Sequence, residues 1–257
     1  MRIDNPLITV ITVSYNSVSV IEDTIESVLK QTYPRIEYII IDGGSRDGTV
    51  DIIRQYEKSI SFWISEKDSG VYHAMNKGID RATGEWLIFM NSGDRFYSET
   101  ILSQVFKHEY KSDIIYGAVE LDYGFTKIIK RPYPLECLPL HMCFSHQSCF
   151  VRTDLMKKTK FDTNYSIVAD YAFFLEQYKK GNLFHQLPFT ISTYDNVNGI
   201  SSAPNIKVLI RHLNELQRIE VFHGSIHFEI LKFLVKRMIR CVCPKFILKI
   251  YYRKVND

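Results

Sequence analysis

Four short runs of β-branched and aromatic residues, each followed by a stretch with helical spacing, constrain this chain most. Ile8–Tyr15, Glu37–Ile41, Ile60–Ser65 and Trp86–Met90 read as strands. Ser17–Gln31, Thr49–Lys58, Val71–Ala82 and Glu99–Tyr110 read as the helices that follow them; Ile21, Ile25, Val28 and Leu29 show the spacing in the first. Ser17 or Ser19 is expected to cap that helix, with Glu22 and Asp23 favourable in its first turn. Strands alternating with helices of this length imply βαβ units, a mostly parallel sheet and an α/β fold.

Beyond residue 112 the rhythm changes. Ile114–Lys130 reads as strand, turn and strand, broken at Gly117 and Gly124. Pro132, Pro134 and Pro139 mark an irregular stretch, and Ser148–Val151 a short strand. Asp170–Lys180 is an expected helix closed by Gly181, with strands at Leu183–Leu187 and Thr190–Asn196. Ile206–Phe222 and Ile226–Tyr252 are helical in pattern. The division expected is a catalytic unit over residues 1–203, with a first half about 1–112 and a second about 113–203, and a helical tail over 204–257.

Composition narrows the classes. The 257 residues are 46% hydrophobic and 24% charged, which suits one folded domain or one domain with an appendage. A net charge of +3 is too small to argue for nucleic acid. The five cysteines are odd in number and match no zinc spacing, so they read as reduced thiols of a cytosolic protein. Leu7–Val13 lacks the flanks of a signal peptide, and no apolar run is long enough for a spanning helix. Lys232–Lys254 holds eight basic residues and no acidic one, interleaved with Phe233, Leu234, Met238, Phe246 and Tyr251. That is the pattern of an amphipathic helix on an anionic membrane, and equally of a docked helix with a solvated basic face. Pro244 divides it.

Two of the apolar runs end in acidic loops: Asp42-Gly43-Gly44-Ser45-Arg46-Asp47-Gly48-Thr49 and Asn91-Ser92-Gly93-Asp94. Ligands of open α/β sheets sit outside the carboxyl ends of parallel strands, so Asp42 and Asp94 are expected at one crevice. Asp42 can accept from a nucleobase N–H or a ribose hydroxyl, and Gly43 and Gly44 permit close approach to the backbone. Asp47 reads as a helix cap. Asp94 is placed to hold Mg²⁺ or Mn²⁺ on a diphosphate, or else to begin an Asx turn. Asp68 is a candidate contact for the nucleoside, Asn76 and Lys77 for phosphates. Asp170, with apolar neighbours on both sides, is either a helix cap or a functional acid, and a general base for a sugar hydroxyl would need such a carboxylate. His146-Gln147 can meet an acceptor or a phosphate, although a lone histidine is more often structural. No G-x-G-x-x-G follows the first strand and no Walker loop occurs.

Taken in order, these pieces resemble glycosyltransferase family 2, of GT-A fold. The resemblance runs from Ile11-Thr12-Val13-Ser14-Tyr15-Asn16 and Ser27-Val28-Leu29-Lys30-Gln31-Thr32-Tyr33 through the Asp42 loop, Asp68-Ser69-Gly70 and Asn76-Lys77-Gly78. It continues through Ala82-Thr83-Gly84-Glu85 to Asn91-Ser92-Gly93-Asp94, then His146-Gln147, Ala169-Asp170-Tyr171 and Gly199-Ile200-Ser201. Enzymes of bacterial surface polysaccharides, of the colanic acid type, look most similar. The resemblance implies a mostly parallel central sheet flanked by helices with a C-terminal helical extension. It implies inverting transfer from a nucleotide diphosphate sugar, usually UDP-linked, to a glycan or lipid-linked acceptor. Val13, Tyr15, Asp42, Gly44, Asp68, Asn76, Lys77, Asn91, Ser92 and Gly93 would line the donor, Asp94 would bind the divalent cation, Asp170 would be the base, and His146 and Gln147 would face acceptor or phosphate. The chain would work in the cytoplasm, on the inner face of the membrane. It departs from the family in having Asn91 and Gly93 where acids are common, Ala169 where an acid often precedes Asp170, and Met75 where an arginine often stands, so that His73 or Lys77 would contact the diphosphate instead. Two other classes fit the α/β plan: a nucleotidyltransferase, which would need a basic glycine-rich loop that Ser14-Tyr15-Asn16-Ser17 lacks, and a non-catalytic sugar-nucleotide binder.

Overall fold

The computed structural model describes residues 5–195 and 205–233. The first half is the expected βαβ succession. Strand β1 (Ile8–Ser14) leads through α1 (Ile21–Leu29) to β2 (Ile36–Asp42), then α2 (Thr49–Gln55), β3 (Phe62–Ser65), α3 (Val71–Arg81) and β4 (Trp86–Phe89). β1 is parallel to both β2 and β4, and β2 to β3. The second half adds β5 (Arg95–Phe96), α4 (Ile101–Val105), β6 (Ile114–Asp122), β7 (Lys127–Lys130), β8 (Cys149–Arg152), α5 (Thr153–Thr159), α6 (Ala169–Lys179), β9 (Phe184–Asp195) and α7 (Ile206–Arg218). One sheet results, in the order β3-β2-β1-β4-β8-β6-β9-β5, with β7 paired to β6. β8 runs antiparallel to β4 and β6 and so joins the halves, while β6 and β9 are parallel.

β1, β4 and most of β2 are buried on both faces, which is why their sequences are continuous apolar runs rather than alternating ones. One core, with Ile11, Ile39, Leu87 and Tyr116, lies beneath α3 and α6. The other, with Ile8, Ile40, Trp86 and Phe150, lies beneath α1 and α4.

Several expectations change. Helix α1 begins at Ile21 with no side-chain cap; the carbonyl of Ser17 accepts from the Val20 and Ile21 N–H groups instead. The helix expected over 99–110 is a single turn and a half, Ile101–Val105. Gly117 does not break a strand. It lies inside β6 at a register shift, where a Cβ would meet the Phe189 carbonyl at 2.5 Å. The two late strands are one, β9, which passes through Pro188 opposite that irregularity, where the missing N–H disturbs the ladder. β5 and α5 were not expected. Cys137, Cys143 and Cys149 are free thiols, as expected of the described cysteines. No helix among the described residues is long and apolar enough to cross a membrane. The Gly199-Ile200-Ser201 loop and the tail from 234 onward lie outside the described residues.

Candidate active site

The last residues of three parallel strands stand in one row: Ser14 of β1 beside Asp42 of β2, and Asp42 beside Ser65 of β3. Asp42 is fully buried and its carboxylate takes five donors. Ser14 Oγ (2.8 Å) and Ser45 Oγ (2.5 Å) donate to Oδ1. Ser65 Oγ (2.7 Å) and the N–H groups of Gly44 (3.1 Å) and Ser45 (2.8 Å) donate to Oδ2. Burial alone would raise its pKa, but the hydrogen bonds from Ser45, Ser65 and Ser14 outweigh it and hold the pKa below the ordinary value. With its oxygens saturated, Asp42 organises the loop rather than offering a free acceptor to a base, which corrects the sequence expectation. The loop it shapes is tied on to the β1–α1 turn. Asn16 N–H donates to Ser45 Oγ, Arg46 N–H to Asn16 Oδ1, and Val18 N–H to Asp47. Asp47 also caps α2 through the Thr49 N–H, as expected.

Asp68, between β3 and α3, has the free oxygen that Asp42 lacks. Its side chain is 7% exposed, and Oδ1 is bound by Lys77 Nζ (2.5 Å) and His73 Nδ1 (3.1 Å). Oδ2 is buried without a partner. That oxygen and the Tyr15 ring flank the space above Gly43, where a Cβ would meet Tyr15 at 3.3 Å and Asp68 Oδ2 at 3.5 Å. Tyr15 is 66% exposed, a flat face open to a ligand. Gly44 has φ +82°, and a side chain there would press on the Lys67 backbone. Lys77 is shared between Asp68 and Glu66. Asn76 is engaged by backbone: its amide donates to the Phe161 carbonyl (2.8 Å) and accepts from the Phe161 N–H (3.0 Å), which leaves one amide N–H for a ligand. That contact comes from the end of α5, which the sequence did not place beside α3.

The Asn91–Asp94 loop closes the other side. Ser92 N–H and Oγ both donate to the Val13 carbonyl (3.1 Å each), and Gly93 N–H to Thr24 Oγ1 (2.9 Å). Gly93 has φ +97°, and a Cβ there would meet the Asp195 carboxylate at 3.1 Å. Asp94 is 3% exposed and accepts from the Asp195 N–H (3.3 Å). Burial first, and the Asp195 charge after it, push its pKa up to about 7, against the opposing charge of His146. Asp195 arrives here from 101 residues along the chain, a placement that no local pattern signals.

Asp170 opens α6 in its first turn, not as the cap, which is Val168. Tyr72 Oη lies 2.9 Å from Asp170 Oδ1 and 2.7 Å from the Ile167 carbonyl. His146 Nδ1 lies 2.9 Å from Oδ2; the two side chains are 16% and 17% exposed. Burial favours the neutral form of each. The imidazole and the Tyr72 hydroxyl nonetheless hold Asp170 below the usual carboxylate range, and the carboxylate holds His146 above the ordinary imidazole value. His146 Nε2 lies 3.4 Å from Asn91 Nδ2, so the base side touches the donor loop through one imidazole. Gln147 is buried in the same 3₁₀ turn.

The oxygen groups around this loop are the Asp94 carboxyl, the Asp195 carboxylate beyond Gly93, and Asn91 Oδ1, which is buried without a partner. No group of three His, Cys, Asp or Glu able to hold an ion exists among the described residues. The donor set therefore fits an ion shared with a diphosphate, not one the protein encloses alone.

A strand-end crevice with an orphaned acid beside an open aromatic face, and an ionised carboxylate across from it, defines a nucleotide-dependent α/β transferase. The sequence profile of Glycosyl transferase family 2 matches residues 9–180, and the chain belongs to that family. It is 34% identical over 182 residues to an uncharacterised glycosyltransferase of Mycobacterium tuberculosis, covering 66% of this chain and 68% of that protein. It is 44% identical over 103 residues to TuaG of Bacillus subtilis, named for teichuronic acid biosynthesis, covering 39% of this chain and 41% of that one. The fold matches S. aureus TarS in complex with UDP-GlcNAc at TM-score 0.62 and 21% identity, over 89% of this chain and 71% of that one. It matches the Pyrobaculum calidifontis mannosyltransferase in complex with GDP-Man and Mn²⁺ at 0.63 and 18%, over 93% and 76%. The fold is GT-A and the chain is a glycosyltransferase, not a nucleotidyltransferase or a bare binding protein.

The saturated carboxylate gives a stability prediction with a definite sign. The folded pKa of Asp42 is lowered, so its contribution is complete above the unfolded value near 4 and is lost as pH falls. Asp42→Asn is expected to cost about 2–4 kcal/mol at neutral pH, since it strands several buried donors. Urea unfolding at graded pH should show that gap narrowing below about pH 4. A gap that is constant with pH would refute the ionised, saturated state.

Proposed function

We propose that this chain is an inverting glycosyltransferase that moves a sugar from a UDP-sugar to a hydroxyl of a glycan or lipid-linked acceptor, in the making of a bacterial surface polysaccharide. The observation that carries it is Asp170, an ionised carboxylate held by Tyr72 and by His146, whose other ring nitrogen borders the Asn91 loop. Each carboxylate oxygen keeps a lone pair beyond the bond it accepts. The acceptor hydroxyl passes its proton to Asp170 as its oxygen attacks the anomeric carbon. The bond from that carbon to the diphosphate breaks on the opposite face, the nucleoside diphosphate leaves, and a single displacement inverts the centre. The likeness to the TarS complex with UDP-GlcNAc and to TuaG supports the donor and the pathway class.

In this reading Asp68 Oδ2 accepts from the base, with Tyr15 against its face and the Gly43-Gly44 backbone beneath. Uracil offers an N–H for that oxygen. His73 and Lys77 both pair with Asp68, and in this reading they reach toward the phosphates. Asp94 and Asn91 would hold a Mg²⁺ or Mn²⁺ ion, which when bound offsets the charge of the departing diphosphate. Ser92 and Gly93 set the loop that carries both. Gln147 supports His146 on the acceptor side.

The C-terminal segment is read as a membrane contact on the cytoplasmic face. Residues 226–233 are helical, Phe228 and Leu231 are each 57% exposed, and the basic run continues beyond them. The catalytic fold is assigned to 1–203, and membrane contact to the basic run of the tail beyond residue 225.

Calorimetry with UDP and an assay of UDP release separate these assignments. Asp68→Asn is expected to weaken UDP binding about 10–100-fold, the range for a hydrogen bond to a charged group. Asp170→Asn should leave UDP affinity nearly unchanged while transfer falls about 10²–10⁴-fold. Transfer that survives Asp170→Asn would remove the base.

For the cation, Mn²⁺ or Mg²⁺ should tighten UDP binding, and Asp94→Ala should abolish that gain. Equal binding of UDP in EDTA would dismiss the ion.

For the tail, the full chain should pellet with anionic liposomes at low salt, and a chain ending after residue 225 should not. Equal pelleting of the two would assign the basic run to the protein surface.

A further inference from the structure

Helix α7 lies beyond the residues that the family profile matches, yet it delivers a buried charge to the helix of the base. Glu215 is 5% exposed. Its Oε1 accepts from Ser166 N–H (2.9 Å) and Ser166 Oγ (2.8 Å), and its Oε2 from the N–H groups of Ile167 (2.9 Å) and Val168 (3.1 Å). Three successive backbone donors immediately before α6 thus close on one carboxylate. Val168, the cap residue of α6, makes no side-chain cap of its own; Glu215 binds its N–H and the two before it, and so anchors the lead-in to α6 from another helix. Burial opposes its charge, but the bonds from Ser166, Ile167 and Val168 outweigh it and keep Glu215 ionised.

The same short segment is gripped from its other side. The Ile167 carbonyl accepts from Tyr72 Oη, the hydroxyl that also lies against Asp170. The peptide units of 166–168 are therefore clamped between Glu215 and Tyr72, and Asp170 is the second residue of the helix that leaves the clamp. Other residues of α7 fix its seat. Arg218 lies over the Tyr165 ring at 4.7 Å, and Leu216 and Ile219 pack on the core beneath α6. His212, one turn before Glu215, is near enough for its ionisation to feel the Asp170 charge.

We propose that Glu215 is a positioning residue for Asp170, so that α7 belongs to the transfer machinery and not to an appendage. The inference rests on the reading of Asp170 as the base. Without the carboxylate, the segment that leads into α6 loses its anchor and Asp170 its fixed origin, while the donor crevice on β1–β4 is untouched. A displaced base slows the chemical step without altering how the donor binds.

The test uses the full chain and whichever of UDP-glucose, UDP-galactose, UDP-GlcNAc and UDP-GalNAc the wild type turns over fastest to UDP. Glu215→Gln keeps the shape but turns a donor toward the Ile167 and Val168 N–H groups. It is expected to lower kcat at least about 10-fold with donor KM within about 2-fold, at a temperature where circular dichroism shows it fully folded. Leu213→Ala is the control: it removes a buried apolar side chain from α7 while leaving the Glu215 carboxylate in place, and should lower Tm while kcat holds. A Glu215→Gln enzyme with wild-type kcat overturns the proposal, as does Leu213→Ala losing as much kcat as Glu215→Gln. If Asp170→Asn retains transfer, the base reading falls and this inference falls with it. If Asp170→Asn abolishes transfer and Glu215→Gln changes nothing, only the role of Glu215 falls.

Discussion

The carboxylate of Asp42 is the interaction on which the donor side depends. It is a charge at the end of a central strand, out of contact with water, and such a charge is tolerated only when its oxygens are filled. Filling them draws in the hydroxyls of the neighbouring strand ends, Ser14 and Ser65, and folds the Gly43–Ser45 backbone back over the carboxylate. The loop therefore has one shape before any ligand arrives. That shape leaves Gly43 bare between Tyr15 and the unpartnered oxygen of Asp68. The open acceptor exists because the buried one is saturated.

How much of this was legible follows from where each signal lives. The βαβ succession was readable because burial on both faces writes each strand as an unbroken apolar run, and β1–β4 fall where those runs are. Asp42, Asp94 and Asp170 were readable as chemically important because an acid abutting an apolar run needs an explanation. Their tasks were not readable. Whether an Asp is saturated or free depends on which hydroxyls the register brings beside it, and Ser65 is 23 residues away. Asn76 looked like a phosphate ligand because it shares a helix with Lys77, but the backbone of Phe161 arrives from 85 residues on and occupies it. Glu215 carried no signal at all. An isolated Glu in an amphipathic helix reads as a solvated face, and nothing local says that it meets three N–H groups.

The two halves answer different electrostatic problems and meet at His146. On the donor side, burial first and the Asp195 charge after it push Asp94 toward the neutral form, a condition that a cation or a proton relieves. On the acceptor side, Asp170 is surrounded by donors and stays ionised. His146 borders both. Its Nδ1 lies against Asp170, its Nε2 faces Asn91 of the donor loop, and the charges of Asp170 and Asp94 together raise its pKa. An acid where Asn91 stands would face a histidine already paired to Asp170, so the neutral amide lets the imidazole serve the base.

A base at the start of a helix has a particular weakness. The N-terminal turn carries unsatisfied N–H groups and a positive field, and both frays and cations' worth of potential act on a carboxylate placed there. Left alone, that turn would be mobile and would depress the basicity of Asp170 further. Glu215 acts at the entrance to that turn: its oxygens fix the N–H groups of 166–168, the last of them the cap residue, and its charge offsets the field of the helix end. Tyr72 then needs only to fix the carbonyl of Ile167 and one oxygen of Asp170. The acceptor side is thus held by side chains from α3, α6, α7 and the 146–148 turn, and its geometry is a property of their joint packing and not of the segment in which Asp170 itself lies.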